Sequence, residues 1–150
     1  MKKYLNQLLD LKCATDLIPF FQSGGNRAKE ITESFGIFDA CTSEFGSMKD
    51  WMVVVVGDGR RPRTGSVFRF RTKAHKVVSI DPQMDMSFFN DKLPNQYRIQ
   101  IRNMTCHASR AEDVKVECEG RRTLLVLPHS HCSMKEAVSC LVNPGKVSVV

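Results

Sequence analysis

Apolar residues recur first at helical spacing and then, from about residue 51, in short runs broken by turns. Tyr4, Leu5, Leu8, Leu9 and the Leu11-Lys12-Cys13 step form a stripe of period near 3.6, which predicts a helix ending before Pro19. Ser23-Gly24-Gly25-Asn26 reads as a turn and an N-cap. Ile31, Ser34, Phe35, Phe38 and Cys41 then resume the stripe, and Gly46 and Ser47 close it. Beyond residue 51 the pattern predicts strands at 52–56, 76–80, 97–102, 123–127 and 146–150. Helices at about 64–73, 84–90, 108–114 and 133–142 are expected between them. Strand–helix alternation implies a parallel sheet covered on both faces. Right-handed crossovers then give the order 3-2-1-4-5. The expected fold is α/β: a three-layer parallel sheet in one domain over 1–150, with N-terminal helices at 1–50 and the sheet core at 51–150.

Two of the predicted strands end on chemistry. Val53-Val54-Val55-Val56 runs into Gly57-Asp58-Gly59, and Lys76-Val77-Val78-Ser79-Ile80 runs into Asp81. A buried strand feeding a glycine turn, with an acid at the tip of its parallel neighbour, is how a Rossmann-type site holds an adenosine. The glycines let backbone approach the ligand, and the acid accepts hydrogen bonds from ribose hydroxyls. The separation of Gly57 from Asp81 suits the usual spacing of roughly 20 residues. The loop does not fit a dinucleotide. Gly65 comes later than the fingerprint's third glycine, and Pro62 removes an N–H donor. No Gly-Lys-Ser/Thr follows, so it is not a Walker loop. A ligand with adenosine and without pyrophosphate suits it better. Asp81 either holds that ligand or caps the Pro82-Gln83-Met84 turn.

Charge adds a second candidate. The formal net charge is +6. Arg60, Arg61, Arg63, Arg69, Arg71 and Lys73 crowd one segment, which either faces an anionic partner such as RNA or is a solvated helix face. The six cysteines form no CxxC pair, and no apolar stretch follows Lys2 and Lys3 as in a secretion signal. Reduced thiols and a cytoplasmic location are expected. No apolar run approaches the ~20 residues of a membrane helix. Pro128-His129-Ser130-His131-Cys132 follows a predicted central strand, where open α/β sheets place catalytic groups. His129 or His131 is a candidate general base. The alternative is a loop whose histidines bond backbone and cap the next helix. Cys106 and His107 could join these residues in a metal site, but two histidines at i, i+2 on an extended loop point apart. No metal is expected.

Taken together, these motifs resemble the class I S-adenosylmethionine-dependent methyltransferases over about residues 50–150. Gly57-Asp58-Gly59 matches the family's glycine-rich first motif, and Asp81 its ribose-binding acid. Glu112 and Asp113 of Ala111-Glu112-Asp113 match the residues near the adenine. Leu124 to His129 is similar to strand four and the loop facing the methyl donor. Leu141-Val142-Asn143-Pro144-Gly145 is similar to the entry to strand five. The resemblance implies S-adenosylmethionine as cofactor, held by Gly57, Asp58, Gly59, Asp81, Glu112, Asp113 and Pro128. Asp58 would reach the methionine amino group, unless it simply fixes the turn. The resemblance further implies methyl transfer to RNA or another nucleophile, with His129 or His131 taking the acceptor's proton. Three features depart from the family. A valine precedes the first glycine, where an acid is usual. Pro128-His129-Ser130-His131 replaces the Asn/Asp-Pro-Pro-aromatic motif of base methylases. The sequence stops after strand five, which leaves a sheet edge to be completed, for example by a second copy in a homodimer. A non-catalytic methyltransferase-like binding module is therefore the competing expectation. An NAD-linked enzyme is the weaker third, opposed by the loop spacing.

Overall fold

The computed structural model describes residues 2–22, 25–89 and 102–150. Helices α1 (Lys2–Leu9), α2 (Ala14–Phe21) and α3 (Arg27–Phe45) come first. The opening stripe thus divides into two short helices, and α2 runs through Pro19 instead of stopping ahead of it. A proline inside a helix costs ~3 kcal/mol. Leu17, Phe20 and Phe21 on the same helix are at most 3 % exposed. Their burial returns about 1.5–3 kcal/mol each, so it outweighs the proline. Asn26 caps α3, its side-chain oxygen accepting from the Lys29 amide at 3.0 Å, and Gly46 closes it.

The remaining elements are β1 (Met52–Val56), α4 (Arg63–Arg71), β2 (Lys76–Ile80), β3 (Met104–His107), β4 (Val116–Glu117), β5 (Thr123–Val126), α5 (Met134–Ser139), β6 (Leu141–Val142) and β7 (Val147–Val149). Five strands form one sheet in the order β3-β2-β1-β5-β7, and every neighbouring pair is parallel. Counted along the chain, this is the expected 3-2-1-4-5. β4 and β6 pair separately as a two-stranded parallel ribbon.

Some boundaries differ from expectation. Residues 97–101 of the strand expected at 97–102 lie outside the described residues. Arg102 sits in a turn, and β3 begins at Met104. The helices expected at 84–90 and 108–114 appear as 3-10 turns at Met86–Phe89 and Ala111–Asp113. In the second of these, only Ala111 and Val114 bury apolar side chains, too little to hold a longer helix. α5 ends at Ser139 because Leu141 and Val142 leave to pair with β4.

The sheet separates two layers. Val53, Val55, Val77, Leu124 and Val126 point into one core with Leu8, Leu17, Phe20, Phe35 and Phe38 of the N-terminal helices and Phe68 of α4. Met52, Val54, Val56, Val78, Ile80 and Leu125 point the other way, against Ala111, Val116, Ala137 and Cys140. Burial on both faces is why β1 is a continuous apolar run and not an alternating one. The chain is therefore a three-layer, Rossmann-like α/β fold with an N-terminal helical region that shares the sheet's core. Among the described residues, no helix is long and apolar enough to cross a membrane.

Candidate functional site

Strand order reverses at β1, which has β2 on one side and β5 on the other. Loops leaving adjacent strands in opposite directions open a crevice at such a point. A cavity of about 690 Å³ lies there, at the carboxyl ends of the strands. Four loops line it: Gly57–Arg60 after β1, Asp81–Gln83 after β2, Ser109–Glu112 after β3 and His129–Cys132 after β5. Its size is in the range of small-molecule sites, roughly 300–1,000 Å³.

Gly57 fixes how two of these loops meet. Its φ is +82°, and a Cβ there would stand 2.8 Å from the backbone of Ser130. The loop after β5 thus rests directly on the loop after β1. Gly59 also has a positive φ, of +78°, but open space lies where its Cβ would be.

Asp58 turns inward, and its carboxylate is committed. It accepts from the amides of Thr64 at 2.8 Å and Gly65 at 2.9 Å, and from the Ser79 hydroxyl. Those amides belong to the first turn of α4, whose N-cap, Pro62, offers no side-chain bond. The carboxylate therefore occupies the helix N-terminus, where a diphosphate would otherwise sit. Burial pushes this carboxyl up, while the bonds from Ser79, Gly65 and Thr64 pull it down. Gly65 lets α4 come this close, since a Cβ would meet Asp58 Oδ2 and Ser79 Oγ at 3.0 Å.

Asp81 is at the tip of β2. Its Oδ2 accepts from the Gly59 amide at 2.9 Å and its Oδ1 from the Gln83 amide at 2.7 Å. The acid both braces the glycine turn and caps the turn that follows. It remains partly exposed and lines the cavity, and each oxygen keeps a lone pair for a further donor.

The other expected site residues divide. Glu112 lines the cavity, but Asp113 is exposed and lies outside it. The turn at Ala111–Asp113 buries Ala111 and sends the two acids in different directions. Pro128 also misses the main cavity and borders a small pocket with Glu33 and Ser34. His129 and His131 both line the main cavity. His129 is exposed, and its Nε2 lies 3.0 Å from Glu33 Oε2 on α3. Cys132 has its amide and its sulfur on Ser130 Oγ, at 3.2 and 2.8 Å. Among the described residues, no group of three or more His, Cys, Asp or Glu side chains is arranged to hold a metal ion. All six cysteines are free thiols.

The basic segment does not form one open face. Arg61 pairs with Asp85 at 3.7 Å and Arg63 with Glu30 at 3.3 Å. Arg71 pairs with Asp39 at 3.9 Å and stacks on Phe38 at 4.1 Å. Arg69 donates to the Arg102 carbonyl. Arg60 and Lys73 are exposed, but Arg60 is at the cavity and Lys73 lies beyond the far end of α4. On α4 itself Arg63 is buried, while Arg69 and Arg71 are half-buried, each with its own partner.

Sequence reasoning missed the contribution of α3. Glu30 lines the cavity, Glu33 holds His129, and Ser34 meets Thr64 at 3.3 Å. Their one sequence signal is the shared helical face of positions 30, 33 and 34. Ser109 and Arg110, also at the cavity, carry no motif, and Glu136 is marked only by the Ser133-x-x-Glu136 capping spacing. No family model, no curated protein and no solved structure matches this chain.

Proposed function

We propose that the chain binds S-adenosylmethionine in the cavity at the switch point and belongs among methyltransferase-like proteins. The observation that carries this reading is the α4 N-terminus filled by Asp58. A dinucleotide needs those amides for its pyrophosphate. An adenosyl ligand without phosphates does not. Asp81 would accept from the ribose hydroxyls, and the space over Gly59 would admit the ligand against backbone. Asp81 and Glu136 line the cavity as carboxylates that would suit the ligand's cationic sulfonium and amino groups, and Arg60 would suit its carboxylate, while Glu30 and Glu112 at the same cavity pair with Arg63 and Arg110.

When bound, the donor supplies an activated methyl group on its sulfonium. The residues of the chain then mainly position the acceptor in line with it. Glu33 orients the His129 imidazole through Nε2, which leaves Nδ1 to take the acceptor's proton. His131, at the same cavity, is the second candidate for that proton. The acceptor is a nucleophile carrying a removable proton, with nucleic acid the favoured class.

One observation supports the alternative of a binding module without turnover. Pro128 is not among the residues lining the main cavity and borders the small pocket beside it, so no proline from the loop after β5 lines a grip on a base amino group. Calorimetry with S-adenosylhomocysteine and with NAD tests the binding. The first should bind and the second should not; the reverse overturns the assignment. Transfer of labelled methyl to bulk RNA then separates enzyme from module.

A further inference from the structure

The opposite end of the sheet, where the strands begin, carries a second surface. Backbone hydrogen bonds join its segments side by side: Lys73 to Asp50, His75 to Trp51, Arg122 to Met52 and Lys146 to Thr123. Lys49, Lys73, Arg102, Arg122 and Lys146 are exposed along this edge, and Lys76 begins β2 there. Among the described residues none of these six has an ion-pair partner, whereas Arg121 is paired with Glu119 at 3.3 Å. Asp50 and Glu119 are the acids within the same segments. In sheet order the row is Arg102, Lys76 with Lys73, Lys49, Arg122, Lys146. Each of the five strands brings at least one cation. Four steps of ~4.8 Å make the row about 19 Å long.

Two further observations mark this edge. The guanidinium of Arg122 lies 4.0 Å from the ring of Trp51, and Phe45 supports the indole from 5.8 Å. Among the described residues, five non-glycine residues have positive φ: Met48, Asp50, Asn103, Glu119 and Asn143. All five lie in the turns that lead into strands at this edge. Asp and Asn adopt that region readily in turns, whereas Met48 and Glu119 hold it at a cost of about 1–3 kcal/mol each.

We infer that this edge is a docking surface for single-stranded nucleic acid, separate from the cavity. A row of cations tracks a phosphate backbone, and an exposed guanidinium already stacked on an indole offers a base a planar cationic platform. A membrane fits less well. Among the described residues the exposed large apolar ones are Leu5, Leu9, Met86, Met134, Val138, Val149 and Val150, and none of these belongs to these segments.

The test uses the whole chain and a fluorescein-labelled oligouridylate of about 12 nucleotides, within the length that ~4–16-nucleotide sites engage. Anisotropy is read over a salt series, together with emission from Trp51, the one tryptophan of the chain. Exchanging Lys49, Lys73 and Lys146 for Glu should weaken binding at least tenfold. It should also lower the salt slope by about two units, at ~0.7 per phosphate on a single strand. If the Glu variant does not fold, the same three positions as Gln are read instead, with the loss expected to be smaller and in the same direction. A control with Lys12, Lys115 and Lys135 exchanged for Glu carries the same charge change elsewhere and should bind as the unaltered chain does. Trp51 emission should change on binding, and saturating S-adenosylhomocysteine should leave the affinity unchanged. The inference is overturned if the unaltered chain does not bind the oligonucleotide or binds only anionic vesicles. It is equally overturned if the control loses as much as the edge variant, if Trp51 is silent, or if S-adenosylhomocysteine competes. Failure of S-adenosylhomocysteine to bind at all would count against the cavity reading and leave this one standing.

Discussion

Asp58 and Asp81 are both acids at strand ends, yet neighbouring groups give them different tasks. Asp58 is 7 % exposed and serves two α4 amides and Ser79. Asp58→Ala removes a helix cap and strands a buried hydroxyl. It should lower unfolding free energy by about 3 kcal/mol or more in denaturant titration. Asp81 keeps one side toward the cavity. Asp81→Ala removes its bonds to the more exposed Gly59 and Gln83 amides, so it should cost about 1 kcal/mol of stability, less than Asp58→Ala, and weaken S-adenosylhomocysteine by roughly 1.5–3 kcal/mol for each charged hydrogen bond lost. Equal loss of stability in the two variants would contradict this division. Both acids were legible as chemistry from the glycine loop and its spacing. The choice of Asp58 as a cap was not, because its partners lie on a helix and a strand that only packing brings to it. The thiols respond to burial as well. It pushes Cys41 and Cys140 up to about 11, and, with the charge of Asp58, Cys106 to about 12. The unfolded chain ionises them near the ordinary 9.0, so the folded state is the weaker acid. Their contribution is intact below pH 9 and is lost as pH rises toward 11–12. Melting temperature should accordingly fall through that window, and less steeply when Cys41 and Cys140 are replaced by Ser or Ala.

At the scale of elements, the best-read pieces were those with long, uniform patterns. The Val53–Val56 run could only be a buried strand, and the Ile31 to Cys41 stripe only a helix face. Two-residue strands such as β4 and β6 carry no period, so nothing in the chain announced their pairing. The capping box of α5, by contrast, is written in the Ser133-x-x-Glu136 spacing: Ser133 and Glu136 bond each other's backbone amides at 2.6 and 3.2 Å. Replacing Ser133 by Ala should cost about 1 kcal/mol in thermal or denaturant melts. The contact between Gly57 and the loop after β5 is more exacting. An alanine there meets Ser130 backbone at 2.8 Å with an unfavourable φ. Gly57→Ala should therefore displace the His129–Cys132 loop and reduce ligand affinity more than Gly59→Ala, whose Cβ meets open space. Parallel calorimetry on the two variants checks the order.

Across the whole molecule, the N-terminal helices and the sheet share one apolar cluster, with Phe35 and Leu17 fully buried beside Val53 and Val77. They should unfold together. Leu17→Ala should cost about 2–5 kcal/mol, while Trp51 emission and far-ultraviolet circular dichroism keep one coincident transition. Separate transitions would mean that the helices form an independent layer. Charge is arranged at the same scale. Charges of both signs line the cavity at one end of the strands, and cations without an ion-pair partner among the described residues line the other. The amino-acid sequence by itself determined the α/β class, the parallel order, the glycine loop and the acid beyond β2. These follow from local periodicity and from crossovers of one hand. Tertiary structure alone decided which charges neutralise one another, which end of the sheet is basic, and that α3 supplies a wall of the cavity. Those outcomes depend on register, which sets Lys76 beside Met52 and Met52 beside Thr123. A parallel sheet gathers the starts of its strands at one edge, so cations scattered through the chain meet there, while the arginines clustered between residues 60 and 71 are divided among separate partners in the loop before α4 and along that helix.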